Sequence, residues 1–223
     1  MKKMILSTLA WVAWSQAAAF AQCEVPKDAT YIMDSDVKDV LKHAPPAVDQ
    51  QLRIVDLCKY NLAVGIIHRG PTQAAGGGGA TKAAKVDGKA AGATRCNSSG
   101  SAAAPVNSAP SGVAGISHDD ETETYIIVSG GGTVVTGGAI VNGTRSAPES
   151  EVTRVLNGPS CSGQIVGNVT KRKVVPGDIV IIPYGVPHGW TDIADHVDYL
   201  SVRPDPDHVL EKGYVNPAIA SRH

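Results

Sequence analysis

Apolar and polar positions alternate in short runs along most of this chain, and turn-forming residues break the runs at close intervals. Residues 51–57 and 61–69, rich in Val, Ile and Leu, predict two strands. From Gly115 onward, runs at 122–128, 133–136, 139–141, 151–156, 164–166, 169–175, 179–182 and 196–202 predict further strands, with Gly, Pro and Asn between them. The tetrapeptide Ser129-Gly130-Gly131-Gly132 has the composition of a hairpin link. Many short strands with regular turns predict an all-β sandwich or barrel. Two short helices complete the pattern. One covers residues 37–44, is preceded by Asp34 and Asp36 and is stopped by Pro45-Pro46; the other covers 206–212.

Two stretches fall outside this pattern. At the N-terminus, Lys2 and Lys3 precede an apolar run over 4–14, and Ala19-Phe20-Ala21 follows. A positive start, a short apolar middle and small residues at the end predict a secretory signal over 1–21, cut before Gln22. The apolar run falls short of the ~20 residues that span a bilayer. A lipid anchor on Cys23 is disfavoured because Gln22 stands where a small residue is expected. The second stretch, 70–112, is dominated by Gly, Ala, Ser and Thr and includes the run Gly76 to Gly79. It cannot bury enough apolar surface to offset its ordering entropy, and it is read as a flexible insertion. No Gly-Lys-Ser/Thr follows at the spacing that a phosphate-binding loop needs.

A length of 223 residues suits one domain, taken as 22–223. The net charge of −1, with no basic block, gives no reason to expect nucleic acid or, after signal removal, a membrane as partner. Cys23, Cys58, Cys96 and Cys161 are widely spaced without a CxxC pair, so a zinc cluster is not expected. In the oxidising surroundings of an exported protein, periplasmic or secreted, they predict one or two disulfides, with three pairings open.

Two segments carry the candidate chemistry. The first runs from His118 through Asp119 and Asp120 to Glu123, then on to Gly130. The second runs from Gly177 through Pro183 and Gly185 to His188. Alternate residues of a strand share a face, so Glu123, Tyr125 and Ile127 point together, and a turn at Asp119-Asp120 brings His118 to the same side. Two imidazoles and a carboxylate converging from separate strands suit a divalent metal with open coordination positions.

The second segment resembles the second motif of the cupin superfamily, G-x5-P-x-G-x2-H, with Gly177, Pro183, Gly185 and His188 at every fixed position. The first resembles the first cupin motif, H-x-H-x4-E-x6-G, through His118, Glu123 and Gly130. It departs from it at Ile116, where a further His would stand, and Asp192 replaces the Asn that can end the second motif. The resemblance spans 115–203. It implies a jelly-roll β-barrel and one divalent metal on His118, Glu123 and His188, with Zn or Mn favoured over Fe. His68, Asp119 and Asp120 are the candidates for the missing ligand. His68, Trp190 and Tyr199 are expected to line the pocket. Glu123, Tyr125 and Tyr184 are the candidate proton-transfer or orienting groups. His43, His196, His208 and His223 are expected to face solvent, and Arg203 to form a surface ion pair.

Cupin-like sites are associated with oxygenation, decarboxylation, isomerisation and lyase chemistry, and the fold does not choose among them. The expected function is therefore a metal-dependent enzyme acting on a small molecule. The alternative is a non-catalytic exported barrel that binds a small ligand. A homodimer is the assembly that the resemblance suggests.

Overall fold

The computed structural model describes residues 23–43, 49–72 and 110–222. The predicted signal, Cys96 and His223 lie outside them, as does most of the Gly/Ala-rich segment. Among the described residues, nine strands form two antiparallel sheets: β1 (Asp49–Asp56), β2 (Asn61–Arg69), β3 (Pro110–His118), β4 (Glu123–Gly130), β5 (Gly132–Arg145), β6 (Ser160–Val174), β7 (Ile179–Ile182), β8 (His188–Thr191) and β9 (Val197–Asp205). One sheet has the order β1-β2-β9-β4-β7, and β3-β6-β5-β8 closes on itself. The architecture is all-β, as predicted, with one short helix, α1 (Asp34–His43), at its N-terminal side.

Strand parity sets what lies inside. On β4, Glu123, Tyr125 and Ile127 are buried while Thr124 and Ile126 are half-exposed. On β9, every odd position from Val197 to Asp205 is buried, Arg203 included. Ile67, Tyr125, Ile127, Val134, Trp190 and Tyr199 form the core between the sheets. Tyr125, Trp190 and Tyr199 lie in mutual ring contact, with centroids 4.2–6.0 Å apart. The outer face of β1 and β2 is covered separately. Val40 of α1 packs there with Leu52, Ile66 and Ile219, so α1 has an apolar stripe with a place to go.

Several local expectations need correction. Residues 151–156 are not a strand; Val152–Leu156 is a π-helical turn between β5 and β6. Its neighbours Ser150 and Ser146 supply local side-chain hydrogen bonds that compete with a ladder. Residues 206–212 form turns rather than a helix, because Asp205 turns the chain by accepting hydrogen bonds from the backbone amides of Val209 and Leu210. The runs 133–136 and 139–141 belong to one strand that bulges at Gly137-Gly138. The insertion ends earlier than expected, since Pro110–Gly112 already belongs to β3. Thr72, at its other end, is hydrogen-bonded to Ile193.

The Ser129–Gly132 link is not a hairpin. β4 pairs with β7 and β9, and β5 pairs with β6 and β8, so the glycines carry the chain from one sheet to the other. Gly130 has φ +66°, and a Cβ there would lie 2.0 Å from the His196 carbonyl oxygen. Only glycine fits that crossing.

Cys23 and Cys58 form a disulfide that ties the N-terminal segment to the β1–β2 turn. Cys161, buried in β6, is disulfide-bonded as well. Among the described residues no helix is long and apolar enough to cross a membrane.

Gly130→Ala is expected to destabilise the domain by about 3 kcal/mol or more, combining a left-handed φ with a backbone clash. Urea denaturation followed by circular dichroism measures this. A loss within 0.5 kcal/mol, taken as roughly the scatter of neutral surface changes, contradicts it.

Candidate metal centre

The two motif segments bring three side chains to one point inside the barrel end. Glu123 opens β4, His118 closes β3 and His188 opens β8. The His118 and His188 Nε2 atoms each lie 3.2 Å from Glu123 Oε2. The three residues are 3%, 2% and 1% exposed for His118, His188 and Glu123. Two turns set these positions. The bend at Asp119-Asp120 reverses the chain between His118 and Glu123. The Pro183–Pro187 segment is pinned by a hydrogen bond from the Gly185 amide to the His118 carbonyl.

Both imidazoles are oriented from behind. His188 Nδ1 lies 2.9 Å from the Val186 carbonyl, which can only accept, so Nδ1 carries the proton. His118 Nδ1 lies 2.9 Å from Ser160 Oγ, whose own proton goes to the carbonyl of Asn157 or Gly158. Nδ1 of His118 is therefore also the donor. Burial pushes His118 below the usual imidazole range, against the pull of Glu123, which keeps this ring neutral. With Nδ1 donating backward in each ring, both Nε2 atoms are turned toward one carboxylate oxygen. His188 Nε2 is buried and has no hydrogen-bond partner.

Glu123 is held on its other side. Its Oε1 accepts from the Ser201 hydroxyl at 2.6 Å and from the Arg203 guanidinium. Burial alone would raise this carboxyl, but the Arg203 guanidinium outweighs it and keeps Glu123 well below the usual carboxylate range. Arg203 is not a surface ion pair; it is 1% exposed, and the Nη2 that meets Glu123 also lies 3.8 Å from Asp49 Oδ2. The β4–β9 register explains this. Thr124 pairs with Val202 and Tyr125 with Ser201, which sets Arg203 beside Glu123.

Three electron-rich atoms facing one point suit a cation. Ligand bonds of about 2.1 Å place neighbouring donors roughly 3.0–3.4 Å apart in octahedral or tetrahedral arrangements, which brackets the 3.2 Å observed here. Among the described residues no fourth His, Cys, Asp or Glu joins this group. Ile116 is half-buried and pairs with His188 across the β3–β8 ladder, where it offers no donor. The other cluster of metal-competent side chains, Cys23, Asp56 and Cys58, has its sulfurs tied up in a disulfide.

The remaining candidates are distributed as follows. His68 does not reach the pocket: Ile67 and Arg69 take the inward positions of β2, and His68 points out to pair with Asp198 at 2.6 Å. Asp119 pairs with Arg145, and Asp120 is exposed. Trp190 and Tyr199 belong to the aromatic core beneath the site, as does Tyr125, whose ring lies edge-on to His188 at 6.1 Å. Burial, reinforced by the charge of Glu123, pushes the Tyr125 phenol well above its usual range. Tyr199 is pushed up to about 12, again chiefly by burial. Tyr184 is 57% exposed and lines an open cleft of about 530 Å³ together with Asp119, Asp120, Thr122, Pro204 and Asp207. Those residues flank His118, Glu123 and Arg203 in sequence, so the cleft lies over the same end of the barrel. His196 is only half-exposed, bonded to Ser129 and Asp195 rather than free in solvent.

Sequence reasoning placed Arg203 on the surface and missed Ser160, Ser201 and Glu121. Arg203 and Ser201 were findable, since they share the parity of Tyr199. Glu121 is fully buried with neither carboxyl oxygen hydrogen-bonded, against Gly158, where a Cβ would come within 2.1 Å.

No family model and no curated protein matches the chain. Solved structures similar to it include a dimethylsulfoniopropionate (DMSP) lyase from Ruegeria pomeroyi, at 13% identity and TM-score 0.30, covering 64% of this chain and 37% of that one. A double-stranded β-helix domain protein from Klebsiella pneumoniae matches at 15% and 0.35, over 76% and 89% of the two chains. A Bacillus halodurans protein matches at 12% and 0.40, over 89% and 98%. This chain thus spans well under half the length of the lyase. At TM-scores of 0.40 and below the likeness adds nothing to the barrel already described and says nothing of activity.

Burial pushes Glu121 up to about 8, with Asp205 adding to the effect. Its acid form is thus kept in the folded state while the unfolded chain ionises, and this carboxyl costs stability as pH rises from about 4.5 to 8. Glu121→Gln is expected to match wild type near pH 4 and exceed it at pH 8 by roughly 2–4 kcal/mol. Urea unfolding at both pH values tests this; an equal gain at both contradicts it.

Proposed function

We propose that this chain is an exported, metal-dependent cupin enzyme that acts on a small organic molecule through one divalent ion on His118, Glu123 and His188. The observation that carries the reading is the meeting of two Nε2 atoms with Glu123 Oε2, His188 Nε2 having no other partner. The donor set of two nitrogens and one oxygen favours Zn or Mn, with Fe(II) as the further option. A bound ion would supply Lewis acidity, polarising a substrate oxygen or lowering the pKa of coordinated water.

The chain's own residues then divide the remaining work. Val186 and Ser160 fix the ring tautomers, and Arg203 with Ser201 keeps Glu123 ionised as a ligand rather than as a proton carrier. Tyr125 stays protonated at any working pH and serves as a donor or a wall, not as a base. Tyr184, on the cleft, is placed to orient a substrate at the mouth. Reaction type stays open among lyase, decarboxylase, isomerase and oxygenase chemistry. Export rests on the 1–21 signal pattern and on the disulfide Cys23–Cys58, which fits an oxidising compartment, periplasmic or extracellular.

The second reading is a non-catalytic barrel that binds a small ligand, and it has an observation in its favour. The three ligands are almost wholly buried, so a substrate reaches them only if the loops around 119–122 and 183–187 move. Azide added to the cobalt-loaded protein separates the two: a perturbed visible spectrum marks an open coordination position, and an unchanged one favours the binding module.

Elemental analysis after refolding with Zn, Mn or Fe(II) is expected to find one ion per chain. His188→Ala is expected to weaken binding by about 100-fold or more, as loss of a direct ligand should exceed the 10–100-fold typical of outer-shell changes. No stoichiometric metal in the wild type would sink the proposal.

A further inference from the structure

We propose that Arg203 is a positioning residue that reserves one oxygen of Glu123, so that the carboxylate meets an ion through Oε2 alone and does so beside a fixed positive charge. The inference rests on the metal reading above.

Its basis is the division of labour between the two oxygens. Oε1 accepts from both the Arg203 guanidinium and the Ser201 hydroxyl, while Oε2 is the atom that both imidazoles face at 3.2 Å. Charge-assisted hydrogen bonds of this kind are about twice as strong as neutral ones, and two of them on one oxygen leave it little capacity for a metal. Arg203 is itself fixed. It comes from an inward position of β9, is 1% exposed and has the Asp49 carboxylate 3.8 Å from the same Nη2 that meets Glu123. Asp49 in turn pairs with Arg69, which donates to the Tyr199 hydroxyl at 2.8 Å. The guanidinium is thus buried in the barrel wall, with its Nη2 between the Glu123 and Asp49 carboxylates.

Two consequences follow. Glu123 acts as a one-oxygen ligand, which preserves open positions on the ion. The nearby cation also opposes binding, so the centre holds its metal less tightly than the same two imidazoles and a free carboxylate would.

Cobalt(II) titration of apo protein tests both consequences, because the intensity of its visible band falls as coordination number rises. In folded Arg203→Gln, the charged donor to Oε1 and its positive charge are lost, leaving Ser201 alone on that oxygen. Affinity is expected to rise at least tenfold and the band to weaken by roughly half. Arg203→Lys keeps the charge and is expected to move both readouts back toward wild type. A folded Gln variant with an unchanged band and equal or weaker affinity overturns the proposal, since a merely structural Arg203 predicts that result. If the Gln variant does not fold, Ser201→Ala decides: it frees part of Oε1 without altering charge. A changed band at near wild-type affinity supports the proposal, and an unchanged band overturns it. Wild-type protein that takes up no cobalt overturns the metal reading itself and this inference with it. Normal uptake with an unresponsive Gln variant overturns this inference alone.

Discussion

A buried carboxylate is the constraint around which this barrel end is organised. An isolated ionised Glu in a low-dielectric interior would cost many kcal/mol, far more than a domain of this size can spare. Glu123 is nevertheless ionised, because Arg203 and Ser201 both donate to one of its oxygens, while the other faces the two imidazole Nε2 atoms. The compensation extends outward through Asp49 to Arg69 and Tyr199, so charges of both signs alternate from the centre to the half-buried rim. Such a network is stable as a whole and intolerant of partial removal, since each member left alone becomes an unpaired buried charge.

The strands are arranged to serve that network. Glu123 begins β4, His188 begins β8, His118 ends β3, and Arg203 lies near the end of β9. Strand ends are where a side chain can be fixed by a ladder on one side and aimed by a turn on the other. The Gly185 amide bonded to the His118 carbonyl shows how tightly the turns are tied together, because it joins the two motif loops by their backbones. Beneath them the stack of Tyr125, Trp190 and Tyr199 fills the barrel, so the ligand positions rest on rigid rings rather than on a cavity.

Much of this was legible from residue patterns, and the failures have physical causes. The all-β architecture follows from alternating runs, and the spacing of Gly177, Pro183, Gly185 and His188 located one end of the site without any coordinates. Parity, applied to Glu123 and Tyr125, was right because no bulge intervenes between them. The same parity, carried along β9 from Tyr199, would have turned Arg203 inward; the usual exposure of arginine argued against it. The outward turn of His68 was readable in the same way from Ile67. What alternation could not reveal were partners far apart in sequence, such as Ser160 behind His118, which depend on strand pairing. Nor could composition separate the π-helical turn at 152–156 from a strand, since Val, Thr and Leu suit both and the deciding hydrogen bonds come from flanking serines.

The substitution at Ile116 and the presence of Arg203 have opposite effects on different properties of the centre. Losing an imidazole removes a neutral donor, which opens a coordination position but leaves the charge untouched. Adding Arg203 leaves the donor count untouched but cancels the charge of Glu123. On the metal reading, a divalent ion here would sit in a pocket with no net negative charge, and Asp49 is balanced by Arg69 rather than free to help. An open position on an uncompensated dication in a buried site favours an anionic oxygen as its occupant, whether hydroxide from water or an ionised group of a substrate. The cleft above works against bulk anions, because Asp120 and Asp207 line it and Asp120 is raised by burial and by its acidic neighbours. On the metal reading, a neutral molecule would pass such a cleft more readily than an anion and meet the ion through an oxygen.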